Sequence, residues 1–562
     1  MTPTEGSPEP TDFGSKFRRY PLAELLILLV ILVYLPSMHG AFLWDDQILI
    51  TENTAVVAPG GLHKIWTGNG TLDYLPTTLS LFWAEFRTWG SDTRGYHAVT
   101  VSLHALSAVF LALILKRLRV PGAWLGALIF AIHPVAVESV AWIAETKNTL
   151  SGVFYFAALL AYLKFEEDAR LRTYLLALGA FGIALLSKGS VVTLPFVLLL
   201  CAWWLRGRIS RTDLLRCAPF FALAVVIGLI TIRFQNAALS KYGDETPVLP
   251  LAEKLTQAGQ IVWFYLSKAI LPIDLMTIYP RFTPMGVFPD VALVAVLVAL
   301  WLYRDTSWGR ALCFAVAYYI LSLSLVLGFF HMGYSVYSWV ADRFQYLALP
   351  ALAALAGAGI SLLARRVKPA AIAAGVALAA ALLVATVFQQ AAYLSLEALW
   401  RNQLRFTPNS SIALTNLGIN LIQQGRIPEA LECLENASLI EPGFAEAHAD
   451  RGGALLALGR VDESIIQFRE ALRLNPKTIV AADNLGTALA KQGRIQEATA
   501  QFREALKIDP RDATAHDNLG TMLAAAGKMD EAIQEFRAAL AIQPFMAPAK
   551  KHLERALSET AH

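Results

Sequence analysis

Charge is scarce in this chain. Of its 562 residues only 16% are charged, against 56% hydrophobic, and the mean hydropathy is +0.48. So apolar a composition excludes an ordinary soluble protein. The formal net charge is only +3 and no Lys/Arg-rich block occurs, which excludes the usual basic footprint of a nucleic-acid binder. Cysteine is also sparse. The four residues, Cys201, Cys217, Cys313 and Cys433, fall at no zinc spacing and build no disulfide framework, so they read as inert small hydrophobes. No His/Cys ligand cluster is present. Two adjacent carboxylates alone make a weak hard-cation site, so a divalent metal is open but not indicated, and the cofactor is left unassigned.

What is present divides the chain in two. Up to about Phe388 apolar runs alternate with short polar links; after Trp400 the sequence is polar, Ala-rich and helical in pattern. The expected fold class is all-α: a polytopic helical membrane domain followed by a helical solenoid. Residues 1–20 are Pro/Gly/Ser-rich and read as a disordered cytoplasmic tail ending in Lys16, Arg18 and Arg19. The run from Pro21 to Pro36 lacks a small-residue cleavage signal and reads as an uncleaved anchor. Ten further runs, near 96–115, 121–140, 149–164, 173–187, 190–205, 215–233, 289–303, 311–328, 345–363 and 370–388, bring the count to about eleven spans. The piece "AGQIVWFYLSKAILPIDL" carries Gln260 and Lys268 and breaks at Pro272. Reading it as re-entrant or interfacial keeps Lys116/Arg117/Arg119, Arg206/Arg208/Arg211, Arg304/Arg310 and Arg365/Arg366/Lys368 on the inner side, as the positive-inside bias favours.

An odd number of spans puts the C-terminal part outside, together with loops 38–95, 134–148, 187–190, 234–288 and 329–344. These loops hold "WDDQ", "HPVAVESVAWIAETKN", "SKGS", "IYPRF" and "YSWVADRFQY". Ionisable residues at a membrane surface with no inner-loop role are functional candidates.

The C-terminal third repeats. Pro408, Pro442, Pro476, Pro510 and Pro544 are spaced by 34 residues; Gly418, Gly452, Gly486 and Gly520, and also Gly425, Gly459, Gly493 and Gly527, keep the same period. That is the signature of a tetratricopeptide (TPR) array, with small residues where helices approach and Pro where the second helix ends. Four units span 411–546, preceded by a linker helix at 391–410 and followed by a capping helix and tail at 547–562. Just before the repeated glycine lie Asn416, Asp450, Asn484 and Asn518. They suit an extended peptide backbone in a concave groove; capping or plain polar surface is the alternative.

With "FLWDDQ", "YLPTTLSLFW", "AIHPVAVESVAWIAETKNTLS", "LLSKGSVVTLP", "ADRFQYLALP" and the TPR array, the sequence resembles membrane-embedded, lipid-sugar-dependent glycosyltransferases of the GT-C fold, and among them the transmembrane-and-TPR O-mannosyltransferases. The resemblance covers nearly the whole chain. It departs at "LSKGS", where the family usually has an acidic residue after the Lys. It implies a polyprenyl-phosphate sugar at the outer membrane surface, a polypeptide acceptor, no nucleic-acid partner, and Asp45 or Asp46 as general base. The compact loops and single-unit repeats suggest a bacterial inner membrane, with the TPR array periplasmic.

Inversion at a sugar carbon needs a carboxylate to take the acceptor's hydroxyl proton, and a leaving phosphate needs cations. For the phosphate the expected order is Arg343, whose forked guanidinium suits it, then Arg281, Lys147 and Lys188. Glu138, His133 and Asp342 are expected to shape the sugar pocket. Each residue has a plainer alternative. Asp45 and Asp46 can cap an interfacial helix. His133-Pro134 can end a span. Asp342 and Arg343 can pair locally. Lys147 and Lys188 can snorkel. Trp44, Trp142, Tyr279, Tyr337 and Trp339 read as an interface belt. Two functions outside glycosyl transfer also fit: a membrane-anchored TPR scaffold for envelope assembly, and a transporter of lipid-linked sugar. A scaffold needs only one anchor, and a transporter needs charges near the bilayer midplane in paired halves.

Overall fold

The computed structural model describes residues 21–68, 73–242, 250–283, 285–330 and 333–560. The tail at 1–20 lies outside them. All regular secondary structure among the described residues is helical. The chain divides into two compact units, Met1–Leu399 and Trp400–His562. The boundary falls inside helix Leu396–Phe406, within the stretch expected to link the halves.

Among the described residues of the first unit, five helices are long and apolar enough to cross a membrane: Thr93–Arg117, Gly189–Arg206, Arg211–Asn236, Ser307–Val326 and Lys368–Tyr393. A sixth candidate is a pair, Ala123–Ala131 and Pro134–Ala141, bent by 52°. Four apolar helices are shorter, namely Pro21–Val33, Leu171–Ser187, Phe288–Leu302 and Leu349–Ala364. The run at 149–164 lies within helix Thr146–Asp168, whose ends carry Lys147, Lys164, Glu166, Glu167 and Asp168. The eleven apolar runs are thus all helical, but length and apolarity alone qualify fewer as full spans. Helix Leu251–Ile270 is not among the candidate spans; its buried face includes Gln257 and Gln260.

The bend in the sixth candidate has a local cause. Pro134 pushes His133 to an extended conformation, φ −82° and ψ 130°, and the helix cannot continue. His133 Nδ1 accepts from the Val135 N–H at 3.3 Å, and its Nε2 donates to the Ala269 carbonyl at 3.0 Å. Both ring nitrogens are therefore used structurally, and His133 is the terminator of the helix before it. The chain beyond folds inward: every residue from 131 to 146 is buried.

Helix Thr93–Arg117 holds that segment in place. His97, Thr100 and His104 share one face by their spacing. His97 Nε2 donates to the Gly40 carbonyl at 3.1 Å, Thr100 Oγ1 meets Thr146 Oγ1 at 2.7 Å, and His104 binds Tyr346 Oη at 2.8 Å and the Ala131 carbonyl at 3.0 Å. One apolar helix thus ties four separate chain segments through buried polar groups, although His97 Nδ1 has no hydrogen-bond partner among the described residues.

The second unit is the expected solenoid. Its helix pairs are Ser411–Gln423 with Ile427–Ile440, Ala445–Ala457 with Val461–Leu474, Ile479–Lys491 with Ile495–Ile508, and Ala513–Ala525 with Met529–Ile542, followed by Ala547–Thr560. The repeated glycines do two jobs. Gly425, Gly459, Gly493 and Gly527 have φ between 74° and 77°, which the turn inside each pair requires. At Gly418, Gly452, Gly486 and Gly520 a β-carbon would lie 2.6 to 2.7 Å from Leu434, Phe468, Phe502 or Phe536. Arg451, which stands where other units have Leu, is accommodated by an ion pair with Glu435 at 3.0 Å.

Gly486→Ala should therefore destabilise the solenoid by about 1–3 kcal/mol through overpacking against Phe502. Gly453→Ala is the control. It sits in a helix with open space around it, so it should be neutral or stabilise by up to about 1 kcal/mol. Thermal unfolding and protease resistance of the purified full chain distinguish the two; equal melting would refute the packing argument.

Candidate active site

The buried segment after His133-Pro134 delivers a carboxylate that the sequence alone did not single out. Glu145 ends a short turn, Ile143–Glu145, and is 0% exposed. Its Oε1 lies 3.0 Å from Lys147 Nζ and 3.3 Å from Arg343 Nε; its Oε2 accepts from Asn148 Nδ2 at 2.8 Å and faces Lys188 Nζ at 3.8 Å. Arg343 is held a second time. Its Nη1 pairs with Glu138 Oε1 at 2.6 Å and its backbone N–H donates to Glu138 Oε2 at 2.7 Å. Asn148 completes the frame, donating to Ser139 Oγ at 3.0 Å and to the Arg343 carbonyl at 3.4 Å while accepting from Lys188 Nζ.

Four of the expected residues, Glu138, Lys147, Lys188 and Arg343, thus meet around Glu145. Three cations face two carboxylates, leaving one positive charge in excess. The side chains of Lys147 and Lys188 are each 17% exposed, against 5% for Arg343, so these two side chains are the more accessible part of the cluster. Arg343 was expected as the leading phosphate ligand, but two of its three nitrogens already hold carboxylates. Its guanidinium also lies 4.2 Å from the centre of the Tyr334 ring.

The charges balance burial group by group. Burial would raise the Glu145 carboxyl, but Lys147, Lys188 and Arg343 outweigh it and pull it down to about 2. Burial opposes the Lys147 charge, yet Glu145 and Asp45 hold it above the ordinary lysine value. Lys188 has weaker support. Burial lowers it to about 8, with Glu145 working against that fall and Lys147 and Arg343 adding to it.

The two adjacent aspartates have different surroundings. Asp46 is fully buried and ties two loops: Oδ2 accepts from the Leu43 N–H at 2.7 Å and Oδ1 from the Ala144 N–H at 2.5 Å. It both caps the turn Trp44–Asp46 and fixes the residue next to Glu145. Asp45 is only half-buried, with no hydrogen bond among the described residues. Burial raises its carboxyl above the ordinary range, and Lys147 and Arg343 are the cations that moderate the rise. Beside it, Trp44 stacks on buried Trp142 at 6.3 Å and 15°, and meets Tyr337 edge-on at 5.4 Å. Trp142 is 0% exposed and Tyr279 3%, so these two are site walls and not part of an interface belt.

The remaining expected residues sit elsewhere. Asp342 does not pair with Arg343; both its oxygens accept from Tyr279 Oη at 3.0 Å. Arg281 donates to the Ser335 and Val336 carbonyls at 3.3 and 2.9 Å, so it braces loop 333–336, whose Tyr334 ring faces Arg343. His133 serves the helix break described above. Among the described residues no group of three or more His, Cys, Asp or Glu side chains is gathered for a metal. In the solenoid unit, Asn416 donates back to the Ile412 carbonyl at 2.9 Å, as local capping would have it, and Asn518 bonds Asp483. Asn484 is half-buried at the equivalent place. Burial, with Glu446 adding to it, raises Asp450 to about 7.

Residues 79–232 match a family profile described as dolichyl-phosphate-mannose-protein mannosyltransferase, and residues 415–477 and 484–547 match the tetratricopeptide repeat profile. Protein O-mannosyl-transferase F38B6.6 of Caenorhabditis elegans is 26% identical over 294 residues, covering 48% of this chain and 41% of that protein. Protein O-mannosyl-transferase TMTC4 of Mus musculus is 24% identical over 480 residues, covering 72% and 64%. These stretches are similar to a mannosyltransferase profile in the first unit and to tetratricopeptide repeats in the second, the combination that the sequence resemblance implies. The chain spans less than two thirds of the length of these relatives. Among solved structures, the crystal structure of MamA aligns with 24% identity over 26% of this chain and 86% of that chain, at a TM-score of 0.25. The stretch matched by the mannosyltransferase profile takes in Glu138, Glu145, Lys147 and Lys188, but begins after Asp45 and ends before Arg343.

If Asp46 is the structural tie and Asp45 is not, Asp46→Asn should loosen the joined loops. Its amide can replace only one of two acceptors, a loss of about 1–3 kcal/mol. Protease nicking within residues 40–60 should rise for Asp46→Asn and stay unchanged for Asp45→Asn. Equal protection of both variants would remove this distinction.

Proposed function

We propose that the protein is an inverting membrane glycosyltransferase that moves a mannosyl group from a polyprenyl-phosphate donor to a hydroxyl of a polypeptide. The observation that carries the reading is the half-buried Asp45 beside a cradle with one positive charge in excess. Asp45 is the general base. It accepts the proton of the acceptor hydroxyl as the oxygen attacks the anomeric carbon. The new carbon–oxygen bond forms on the face opposite the breaking bond to phosphate, and the polyprenyl phosphate leaves with the electron pair. Lys147 and Lys188 take the charge that develops on the phosphate, where it is worth most in a site shielded from water. Arg343 and Glu138 are the wall behind them, with Asp342 and Tyr279 next in line. A raised carboxyl makes Asp45 a stronger base than an exposed aspartate would be.

The names of the relatives and the family profile support the sugar, the phosphate-linked donor and a protein acceptor. The TPR unit supports the last independently, since an ordered series of polar side chains along its first helices, Asn416, Asp450, Asn484 and Asn518, offers donors and acceptors to an extended chain. We place the protein in a bacterial inner membrane, its N-terminus cytoplasmic and its TPR unit on the outer side with the site loops.

Asp45→Asn keeps shape but cannot take the proton. With a short-chain polyprenyl-phosphate mannose and a peptide acceptor, it should lose about a hundredfold or more in turnover while its KM for the donor stays within about twofold. Normal transfer by this variant would remove Asp45 as base, and no transfer by the unaltered protein would favour the scaffold or transporter.

Orientation has its own test. Phe545 is 99% exposed in the solenoid, so Phe545→Cys in a chain lacking the native cysteines should react with an impermeant thiol reagent in intact cells. Labelling only after lysis would put the solenoid inside and separate it from the proposed site.

A further inference from the structure

We propose that Glu145 is a positioning residue for the donor phosphate: it gathers the ammonium groups of Lys147 and Lys188 into one anion-facing cradle and never touches the donor itself. This inference rests on the donor reading above and goes beyond it, because it assigns the affinity for phosphate to a negative charge.

The geometry carries the argument. Glu145 is 0% exposed and both its oxygens are turned inward onto protein groups, so a ligand has no access to it. Its own position is fixed from two sides. Asp46 holds the Ala144 N–H one residue earlier, and Asn148 holds Oε2. The carboxylate is thus the shared anchor of three cations that come from two separate outer segments and the head of helix Thr146–Asp168. Without it, three positive charges would crowd a buried site and repel one another.

Lys188 is the member that would yield first. The ionisable groups facing it are Glu145, Lys147, Arg343 and Glu138. Its hydrogen bond goes to neutral Asn148, and its distance to Glu145 is 3.8 Å against 3.0 Å for Lys147. With an ordinary value lowered to about 8, Lys188 is charged below that pH and attracts the phosphate, and above it is neutral and does not. Donor affinity should therefore fall on the alkaline side. Replacing Glu145 by a neutral residue removes the charge that sustains Lys188 and leaves Lys147 and Arg343 repelling it, so the alkaline fall moves to lower pH.

The test is equilibrium binding of a short-chain polyprenyl-phosphate mannose to the purified full chain across pH 6 to about 10. The probe is a phosphodiester whose charge is constant over that range. The unaltered protein should bind with an alkaline limb near pH 8. Glu145→Gln should bind about tenfold or more weakly at neutral pH and shift the limb down by about one unit. Glu145→Asp keeps the charge and should bring the limb back towards its original place. Lys188→Arg, which holds its charge at every pH used, should abolish the limb without any change at Glu145. Unchanged affinity and limb in Glu145→Gln would overturn the inference and leave the donor reading standing. A limb that survives Lys188→Arg would overturn it too, even were Glu145→Gln to misfold. No binding by the unaltered protein at any pH would overturn both.

Discussion

A carboxylate without solvent exposure can stay ionised only if cations stand against it, and the arrangement around Glu145 answers that constraint. Taking an ion out of water is opposed by several kcal/mol, and only close, well-oriented partners offset it. Lys147, Lys188 and Arg343 supply the charge; Asn148 supplies a neutral hydrogen bond; Glu138 keeps Arg343 from being drawn wholly to one side. Segments 138–148, 188–189 and 342–346 are consequently not free loops. The first contributes Glu138, Glu145, Lys147 and Asn148, the second Lys188 and the third Arg343, and the mutual attraction of these groups brings the segments together although nearly two hundred residues separate Asn148 from Arg343.

The apolar helices give this set its walls. The polar stripe of His97, Thr100 and His104 on helix Thr93–Arg117 shows how. In a helix that faces lipid or apolar neighbours, any polar group must find a partner, so each one on that stripe reaches a different segment and fixes it. The break at His133-Pro134 then turns the chain off its axis and sends the Glu138–Glu145 segment under those anchors. The solenoid relies on the opposite economy. Its described residues form no buried charge hub; its helices approach through glycine, against Leu434 in the first unit and against phenylalanine at the same register in the other three. Packing of that kind is local and additive from unit to unit.

Legibility differed between the halves for this reason. A 34-residue period shows in the sequence because every unit repeats the same contacts, and the four helix pairs and the final helix fall where the spacing puts them. In the membrane unit the motif-bearing stretches were legible, and Glu138, Lys147, Lys188 and Arg343 do come together. Which partner each takes was not. Arg343 stands beside Asp342 in sequence yet binds Glu138 and Glu145, and Asp342 goes to Tyr279. Glu145 escaped notice because a single carboxylate two residues before a lysine reads as a local pair, and its other cations are distant in sequence. Trp142 and Tyr279 look like belt residues by type, and only their burial shows them to be walls.

The sequence by itself determined the composition of the two halves, the helical class, and the solenoid and its register. These follow from hydropathy, period and the missing N–H of proline, all properties of neighbouring residues. The tertiary structure alone decided the different surroundings of Asp45 and Asp46, the enclosure of Arg343 by carboxylates, and the partial exposure of the Lys147 and Lys188 side chains. Those depend on which chain segments meet in a low-dielectric interior. There the energy of a charge is set by partners in space, and adjacency along the chain does not specify them.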